Sequence, residues 1–402
     1  MQYLGSEFQS YEESLINLKK HILPYERVEK LALTQVLGRI LATDIFAKDD
    51  FPKYKTASMD GYAFIYDDLQ NDKFEILGDL PAGKNIDCEL QKGQCIKVFT
   101  GSILPKNADT VIPIELVKIS ENKIHIQKNV NLGFAVRQIG ESYKKNELLL
   151  KKGDRLNFAS IALLAELGYF HISVLIPPKI GILTTGSELK DIGENLENKA
   201  QIHSSNHIAL AMLCKQMGLE TVIFPIVKDD FESVKAAVLS AIKSCDILLT
   251  TGGVSVGDYD FMRDFLRSDF NLIVDKVAIK PGRHIKIAKS GEKFIIALPG
   301  FPISAITMSI LYLSFIINEM LNIKDKNEFE AILKDDYVKK SPFLEITPAT
   351  LSFENGQIFV SAKDKKQGSS AILNNILNGV LMIVPLEKNS LKSGDIVKVI
   401  KI

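Results

Sequence analysis

Residues 247–258 read ILLTTGGVSVGD, and this stretch decides the fold. Three apolar residues run directly into Thr-Thr-Gly-Gly, which is typical of a buried strand that ends in a tight turn. The arrangement recurs at 180–188, IGILTTGSE, and at 294–302, FIIALPGFP. Helical patterns at 206–217 and 231–244 lie between these strands. Strands that alternate with helices predict a parallel sheet covered by helices on both faces.

Residues 222–227 are a further strand candidate of this α/β region. The segments on its N-terminal and C-terminal sides have different patterns of apolar residues. On the N-terminal side, apolar residues at helical spacing predict a helix within 7–21, a continuation of the helical pattern over 28–40, and a helix at 157–167. Between them, short apolar runs separated by Gly, Pro and Asn predict a small β domain within 51–126.

The C-terminal segment, from about residue 331, also has a β pattern. The runs 351–353 and 358–360 flank Asn355-Gly356, a turn dipeptide that predicts a hairpin, and 396–399 predicts a final strand. The sequence therefore predicts a multidomain α/β plus β fold. It combines a helical N-terminal half with a β insertion, a three-layer α/β domain and a β-rich C-terminal domain.

Composition narrows the functional classes. Lys+Arg and Asp+Glu number 49 each in 402 residues, and the absence of a basic excess argues against a nucleic-acid partner. The N-terminus lacks the pattern of a secretory signal. The apolar run 303–318 is shorter than the roughly 20 residues that cross a bilayer, so it predicts a buried helix and no membrane partner. Four cysteines without a CxxC pair predict reduced thiols and a cytoplasmic location.

The three strand ends predict a ligand site. Glycine lets backbone N–H groups approach a ligand closely, and ligands of parallel sheets lie beyond the carboxyl ends of the strands. Three such loops in one domain favour an extended, anionic, phosphorylated ligand over three unrelated tight turns. The stretches contain neither a P-loop nor a GxGxxG motif, so an ordinary NTPase or a dinucleotide dehydrogenase is not supported.

Acids and bases accompany these loops. Glu188, Asp258 and Asp260 lie in the Gly-rich segments, and 276–284 read KVAIKPGRH. Magnesium is typically held by one or two carboxylates together with substrate phosphates, and lysine and arginine neutralise the remaining phosphate charge. By itself the basic stretch could be a solvated loop. Beside the acidic loops, the binding interpretation is better.

Two further patterns are weaker. In the small β domain, 58–63 read SMDGYA and 99–102 read FTGS, which as isolated motifs are common turns. His203 and His207 are spaced as metal ligands on one helix face would be. No third ligand is near in sequence, and the intervening Ser-Ser-Asn favours helix capping instead.

Taken together, the motifs resemble those of the molybdopterin molybdenumtransferases, a family related to the C-terminal domain of gephyrin. The resemblance covers nearly the whole chain in the family's order. Its motifs are SMDGYA at 58–63, Thr100-Gly101, Ile139-Gly140-Glu141, TGSEL at 185–189, GGVSVG at 252–257, AIKPG at 278–282, LPG with Pro302 at 298–302, and Gln367-Gly368-Ser369.

The resemblance implies four domains and a homodimer whose active sites are shared between protomers. The implied divisions are a discontinuous helical domain I at 1–48 and 142–176, a β domain II at 49–141, an α/β molybdopterin-binding domain III at 177–326, and a β-barrel domain IV at 327–402.

The resemblance also assigns roles to residues of this sequence. It implies that Glu188 and Asp260 hold Mg²⁺. The implied catalytic residues are Asp60, Thr100, Glu188, Asp260, Lys276 and Lys280. The implied substrate-binding residues are Thr185, Gly186, Ser187, Gly252, Gly253, Ser255, Gly257, Asp258, Arg283, Pro299, Gly300, Pro302 and Ser369.

The sequence departs from the family pattern at four places. Ser142 replaces an acid, Phe301 replaces an asparagine, and Arg283 replaces a common lysine. The family also has an arginine in the first strand of domain IV, and none is evident at 343–351.

The implied reaction is insertion of molybdate into adenylylated molybdopterin, with Mg-dependent release of AMP. Two rivals are less favoured, since the acids Asp60, Glu188 and Asp260 of the implied site are all present. One is the sister enzyme that adenylylates molybdopterin with ATP, which lacks the SMDGYA domain and the barrel. The other is a non-catalytic scaffold. Other enzymes of cofactor biosynthesis are further candidate partners.

Overall fold

The computed structural model describes residues 8–84, 87–253, 261–323, 327–363, 365, 373–377 and 379–402. The chain divides by packing into two compact units. The larger unit comprises Met1–Ala42, Gly153–Ile161 and Phe170–Ile402, and the smaller comprises Thr43–Lys152 and Ala162–Tyr169. The four-domain boundaries remain a prediction.

The N-terminal part of the larger unit corrects one prediction. A helix forms at Tyr11–Lys19, where Ser10 and Glu13 make a reciprocal capping box. The helical pattern predicted for 28–40 is wrong, because Val28–Ala32 is a strand that pairs antiparallel with His171–Leu175. The two strands pair over five residues, and this pairing outweighs the local helix propensity of 28–32. Helix propensity predicts structure poorly where a segment can pair with a distant strand.

A six-stranded sheet forms the core of the smaller unit, in agreement with the predicted β domain. Apolar clusters lie on it around Val98 and around Phe74, both of which are fully buried. The strands in sheet order are Thr110–Pro113, Gly61–Phe64, Gln94–Val98, Lys73–Leu80, Lys123–Ile126 and Val117–Ser120.

The central sheet of the larger unit also has six strands. In sheet order they are Thr221–Ile223, Ile180–Thr184, Ile247–Thr251, Lys293–Leu298, Lys286–Ser290 and Asn271–Asp275. The first four are parallel as predicted, but the last two are antiparallel to their neighbours. The strand predicted at 222–227 stops at Ile223, and the chain meets the neighbouring strand again at Val227, which bridges to Thr185.

Helices cover both faces of this sheet, which confirms the three-layer prediction. Adjacent strand residues alternate between two cores: Ile247 and Leu249 join one, and Leu248 joins the other. The helices Asn206–Gln216 and Pro302–Leu321 pack on the first face, and Phe231–Ala241 and Phe261–Asp269 pack on the second.

The helix Pro302–Leu321 is the apolar run singled out in the sequence. It includes a π-helical stretch at Ser309–Leu313. Its length and composition alone would suit a membrane span, yet most of it is buried inside the protein. The prediction of a buried core helix is therefore confirmed.

The C-terminal strands close into a five-stranded barrel. Leu344–Glu354 pairs with both Gln357–Ser361 and Val380–Val384, so the sheet returns to its first strand. The other two strands, Glu328–Leu333 and Ile396–Lys401, complete the ring. The predicted hairpin is present, and the turn residues Asn355 and Gly356 both have positive φ.

The remaining elements are short. The helix predicted at 157–167 is observed at Phe158–Glu166. All four cysteines are free. The short strands are Ile45–Phe46, Thr56–Ala57, Val136–Arg137, Leu148–Leu150, Leu189–Lys190, Ile202–His203, Ile279–Lys280, Tyr337–Val338 and Ser390–Leu391.

Candidate active site

A cleft of about 970 Å³ opens at the carboxyl ends of the parallel strands in the larger unit. Thr185, Thr251 and Pro299 line it, and each lies at or just beyond the end of a different central strand. Nine of the implied catalytic and substrate-binding residues line this cleft: Thr185, Glu188, Gly252, Gly253, Lys280, Arg283, Pro299, Gly300 and Pro302.

Glycine is required where two of the loops meet. Gly252 has a φ of +96°, and a Cβ there would lie 2.5 Å from Thr185 Oγ1 and 2.6 Å from its carbonyl oxygen. The hydroxyl of Thr185 donates to the carbonyl of Thr251 at 3.2 Å, which holds the loops together. The third loop is adjacent, since a Cβ on Gly300 would lie 3.9 Å from Gly252 Cα. Because Gly252 and Gly300 have no side chains, main-chain groups are accessible where these loops meet.

Among the described residues, two carboxylates line the cleft. Glu188 follows the first loop, and Asp229 follows the segment in which Val227 bridges to Thr185. The backbone N–H of Asp229 donates to Ser187 Oγ at 3.2 Å. Oδ1 of Asp229 is buried and has no hydrogen-bond partner within the described part of the chain. A buried carboxylate oxygen without a donor is costly, so Asp229 is suited to a cation or a ligand donor.

The sequence reasoning missed Asp229, although a signal was present. Lys228-Asp229-Asp230 follows the strand predicted at 222–227, so it repeats the arrangement of a strand followed by an acid. The absence of a glycine in this loop concealed the similarity.

The cationic wall comes from the segment between the last two sheet strands and from the barrel. Lys280 lies on Ile279–Lys280, which pairs in parallel with Leu344 and Glu345 of the barrel. Lys280 Nζ lies 3.5 Å from Glu345 Oε1, whose side chain is almost fully buried. This ion pair ties the lysine, which lines the cleft, to a barrel strand. Arg283 lines the same wall.

Lys340 adds a cation that the sequence reasoning missed. It lies on the segment that leads into the barrel strand Leu344–Glu354 and lines the cleft with Ser341. The family's arginine was expected in the first barrel strand, at 343–351, and Lys340 precedes that range. Lys340 reaches the cleft because of the way the barrel packs. No local sequence pattern therefore reveals it.

His284 beside this wall is held in its neutral form. Burial, together with the positive charges of Arg283, Lys286 and Lys276, lowers its pKa from 6.5 to about 4, against a smaller opposite effect of Asp275. Arg283 Nε lies 2.9 Å from His284 Nε2, and a neutral imidazole can accept this hydrogen bond. The histidine therefore orients Arg283 at neutral pH.

This shift predicts acid sensitivity. Between pH 6.5 and about 4 the unfolded chain binds a proton at His284 and the folded chain does not, so the free energy of unfolding falls as the pH falls through that window. His284→Gln can still accept from Arg283 and should remove up to about one proton from the pH slope of stability. Urea unfolding between pH 7 and 4.5 measures both slopes, and equal slopes would contradict the assignment.

Other predicted site residues lie elsewhere. Gly186 and Ser187 adjoin the cleft without lining it, and a Cβ on Gly186 would lie 2.7 Å from Leu189. Lys276 does not line it either; its Nζ lies 6.0 Å from the ring centre of Phe8. Ser255, Gly257, Asp258, Asp260 and Ser369 lie outside the described residues.

The smaller unit carries the predicted pair Asp60 and Thr100. Asp60 Oδ1 accepts from Thr100 N at 2.8 Å and from Thr100 Oγ1 at 3.0 Å, and these two bonds hold the pKa of the exposed Asp60 carboxyl below its usual range. The neighbouring Gly61 is required, since a Cβ there would lie 2.2 Å from the carbonyl oxygen of Ile112. Asp60 is thus a fixed, ionised carboxylate.

Ser142, the departure from the family's acid, is hydrogen bonded within the same unit. Arg137 donates to Ser142 Oγ at 2.6 Å, and Arg137 Nε lies 3.3 Å from Glu141 Oε1. Arg137 therefore pairs with the carboxylate of Glu141 and donates a hydrogen bond to the hydroxyl of Ser142, where the family has a second acid.

The two histidines do not share a helix face. His203 is on the strand Ile202–His203, and its ring lies 2.9 Å from the carbonyl of Glu194. His207 is on a helix, between Ser204 Oγ at 2.8 Å and Asp191 Oδ1 at 3.1 Å. Within the described residues, no group of three His, Cys, Asp or Glu side chains is arranged to hold a metal.

Comparison with known proteins defines the class. Residues 9–168 match the family model described as the MoeA N-terminal region, domains I and II, and residues 181–318 match a probable molybdopterin binding domain. The chain is similar to a molybdopterin biosynthesis MoeA protein from Pyrococcus horikoshii, with a TM-score of 0.82, 29% identity, and 98% of this chain and 99% of that chain covered.

Curated relatives of similar sequence point to the same family. The chain is 30% identical to a molybdopterin molybdenumtransferase of Staphylococcus epidermidis, over 97% of this chain and 95% of the relative. It is 34% identical to a Nostoc protein of the same name over 72% of this chain and 68% of that protein. The chain belongs to the molybdopterin molybdenumtransferase family, whose members are transferases of molybdenum cofactor biosynthesis.

Proposed function

We propose that this enzyme inserts molybdate into adenylylated molybdopterin, with Mg-dependent release of AMP. The observation that carries the proposal is one cleft whose described lining residues include two carboxylates, Glu188 and Asp229, and three cations, Lys280, Arg283 and Lys340. An extended ligand with a pyrophosphate needs both carboxylates and cationic side chains. The carboxylates hold a divalent cation that shields part of the phosphate charge, and lysine and arginine neutralise the rest.

The residues present fit Mg²⁺. Glu188 and Asp229 would hold the ion, and the unpartnered Oδ1 of Asp229 is the kind of hard oxygen donor that Mg²⁺ accepts. Two carboxylates suffice, since Mg²⁺ keeps several waters and takes further oxygens from substrate phosphates. When bound, the ion supplies charge stabilisation at the phosphates. Asp260, the second predicted ligand, lies outside the described residues.

The protein's own groups would orient the substrate. The Gly252 and Gly300 loops allow the ligand to approach the main chain, and Lys280 is anchored by Glu345 from the barrel. Arg283, oriented by His284, and Lys340 would receive the oxyanion and the phosphate charge. This chemistry is positioning and charge stabilisation, and it requires no activated nucleophile.

We further propose a cytoplasmic homodimer in which Asp60 and Thr100 of one protomer complete the cleft of the other. The support is the carboxylate of Asp60, which is exposed, ionised and held in place by Thr100. Other enzymes of cofactor biosynthesis remain proposed partners.

Incubation of the enzyme with adenylylated molybdopterin tests the proposed function. We expect AMP release that requires both molybdate and Mg²⁺, because the acids bind the cation and the cationic wall receives the oxyanion. The measurement is AMP by chromatography, with molybdate or Mg²⁺ omitted in turn as controls. ATP-dependent adenylylation of molybdopterin without molybdate-dependent AMP release would favour the sister enzyme. The absence of both activities would favour a scaffold.

A further inference from the structure

Phe301 is an exposed aromatic side chain on the wall of the cleft. It lines the cleft and is 57% exposed. Its backbone is fixed on both sides: Asn206 Nδ2 donates to the carbonyl of Gly300 at 2.7 Å, and Ala305 N donates to the carbonyl of Phe301 at 2.9 Å. The ring therefore projects from an anchored main chain.

Phenylalanine is unfavourable for folding at this position. Phe301 is the N-cap of the helix that begins at Pro302, and no side-chain cap hydrogen bond is present. Asn, Asp, Ser or Thr would accept from the first helical N–H groups there. A single exposed apolar residue carries little meaning by itself. This one occupies a cap position without capping the helix and presents an apolar face in a cleft lined by charged groups, which favours a role in binding.

Asn206 provides an independent indication of a ligand beside this ring. A carbonyl oxygen can only accept, so the bond to Gly300 fixes Nδ2 as the donor and leaves Oδ1 as an acceptor. Oδ1 is buried without a partner in the described part of the chain, and the residue is only 7% exposed. A ring carrying an amino group or a ring N–H would supply the missing donor.

We propose that the ring of Phe301 is a stacking surface for a flat, amino-bearing nitrogen heterocycle of the substrate. This inference rests on the proposed function, whose substrate carries two such rings, a pterin and an adenine. Stacking on an aromatic side chain requires only a π face. The cations Lys280, Arg283 and Lys340 line the same cleft, so one ligand can place its ring on Phe301 and its phosphates on the cationic wall.

The chain contains no tryptophan, so Phe301→Trp places a single fluorophore at the proposed contact. We expect its emission to be quenched by adenylylated molybdopterin. Free pterin and AMP, tested separately, then identify which ring stacks. Phe353→Trp is the matched control, because Phe353 is 74% exposed and does not line the cleft. Quenching equal to that of the control would overturn the inference.

Phe301→Asn separates stacking from a structural role. Asparagine supplies the missing cap, so Tm should rise by roughly 1–2 °C. The loss of stacking should raise the KM for adenylylated molybdopterin about 10-fold while kcat changes little. Phe301→Tyr should restore KM. A structural role predicts that stability and KM worsen together.

The two proposals fail differently. An unchanged KM in Phe301→Asn, with normal AMP release by the wild type, overturns the stacking role and leaves the proposed function intact. Absence of AMP release by the wild type overturns the proposed function, and the fluorescence titrations with pterin and AMP still decide the stacking role.

Discussion

Glu188→Gln is expected to lower the rate of molybdate-dependent AMP release by about 10²–10³-fold. Glutamine keeps the shape of the side chain and removes the negative charge that would hold Mg²⁺ at the cleft. Glu188 lies at the end of the Thr185-Gly186 loop and lines the cleft, so the loss should not change the fold. The variant should also need a higher Mg²⁺ concentration for half-maximal rate, which a general loss of stability would not cause.

Glu232→Gln is a matched control for this experiment. Glu232 lies in the first turn of the helix Phe231–Ala241, does not line the cleft, and loses the same charge on substitution. Its rate and Mg²⁺ dependence should match those of the wild type. A Glu188→Gln enzyme with wild-type kinetics would exclude Glu188 as a cation ligand. It would leave Asp229 and Asp260 as the acids to test.

The second large effect is recovery of activity in mixed dimers. Asp60→Asn and Glu188→Gln should each inactivate the enzyme, because each removes a carboxylate from the proposed shared cleft. In a symmetric dimer with shared clefts, one cleft of a mixed dimer carries both lesions and the other carries neither. Full subunit exchange gives half mixed dimers, so mixing the two variants should restore about a quarter of wild-type activity.

A chain that carries both substitutions is the control for the mixing experiment. Combined with either single variant it leaves no cleft intact, so no activity should return. Exchange is followed with differently tagged chains. If the tags exchange and the two single variants still show no recovery, each chain builds its own cleft and the shared-site proposal is wrong.

The sequence predicted the central architecture well where patterns are local. Buried strands such as Ile247–Thr251 are continuous apolar runs ended by Gly-rich turns, and both features follow from backbone geometry. It failed at Val28–Ala32, whose partner strand His171–Leu175 is more than a hundred residues away along the chain. A strand stabilised by a distant partner leaves little signal in its own residues.

The sequence by itself determined the three Gly-rich strand ends, the core helix and the closing hairpin, because each depends on residue type and spacing within one segment. Only the tertiary structure decided which charges meet. Lys340 and Asp229 join the cleft through the packing of the barrel and of a sheet edge, and Lys276 is turned towards Phe8 instead. Charge at a site depends on distances across the fold, and those distances are set by the packed core rather than by neighbours in the chain.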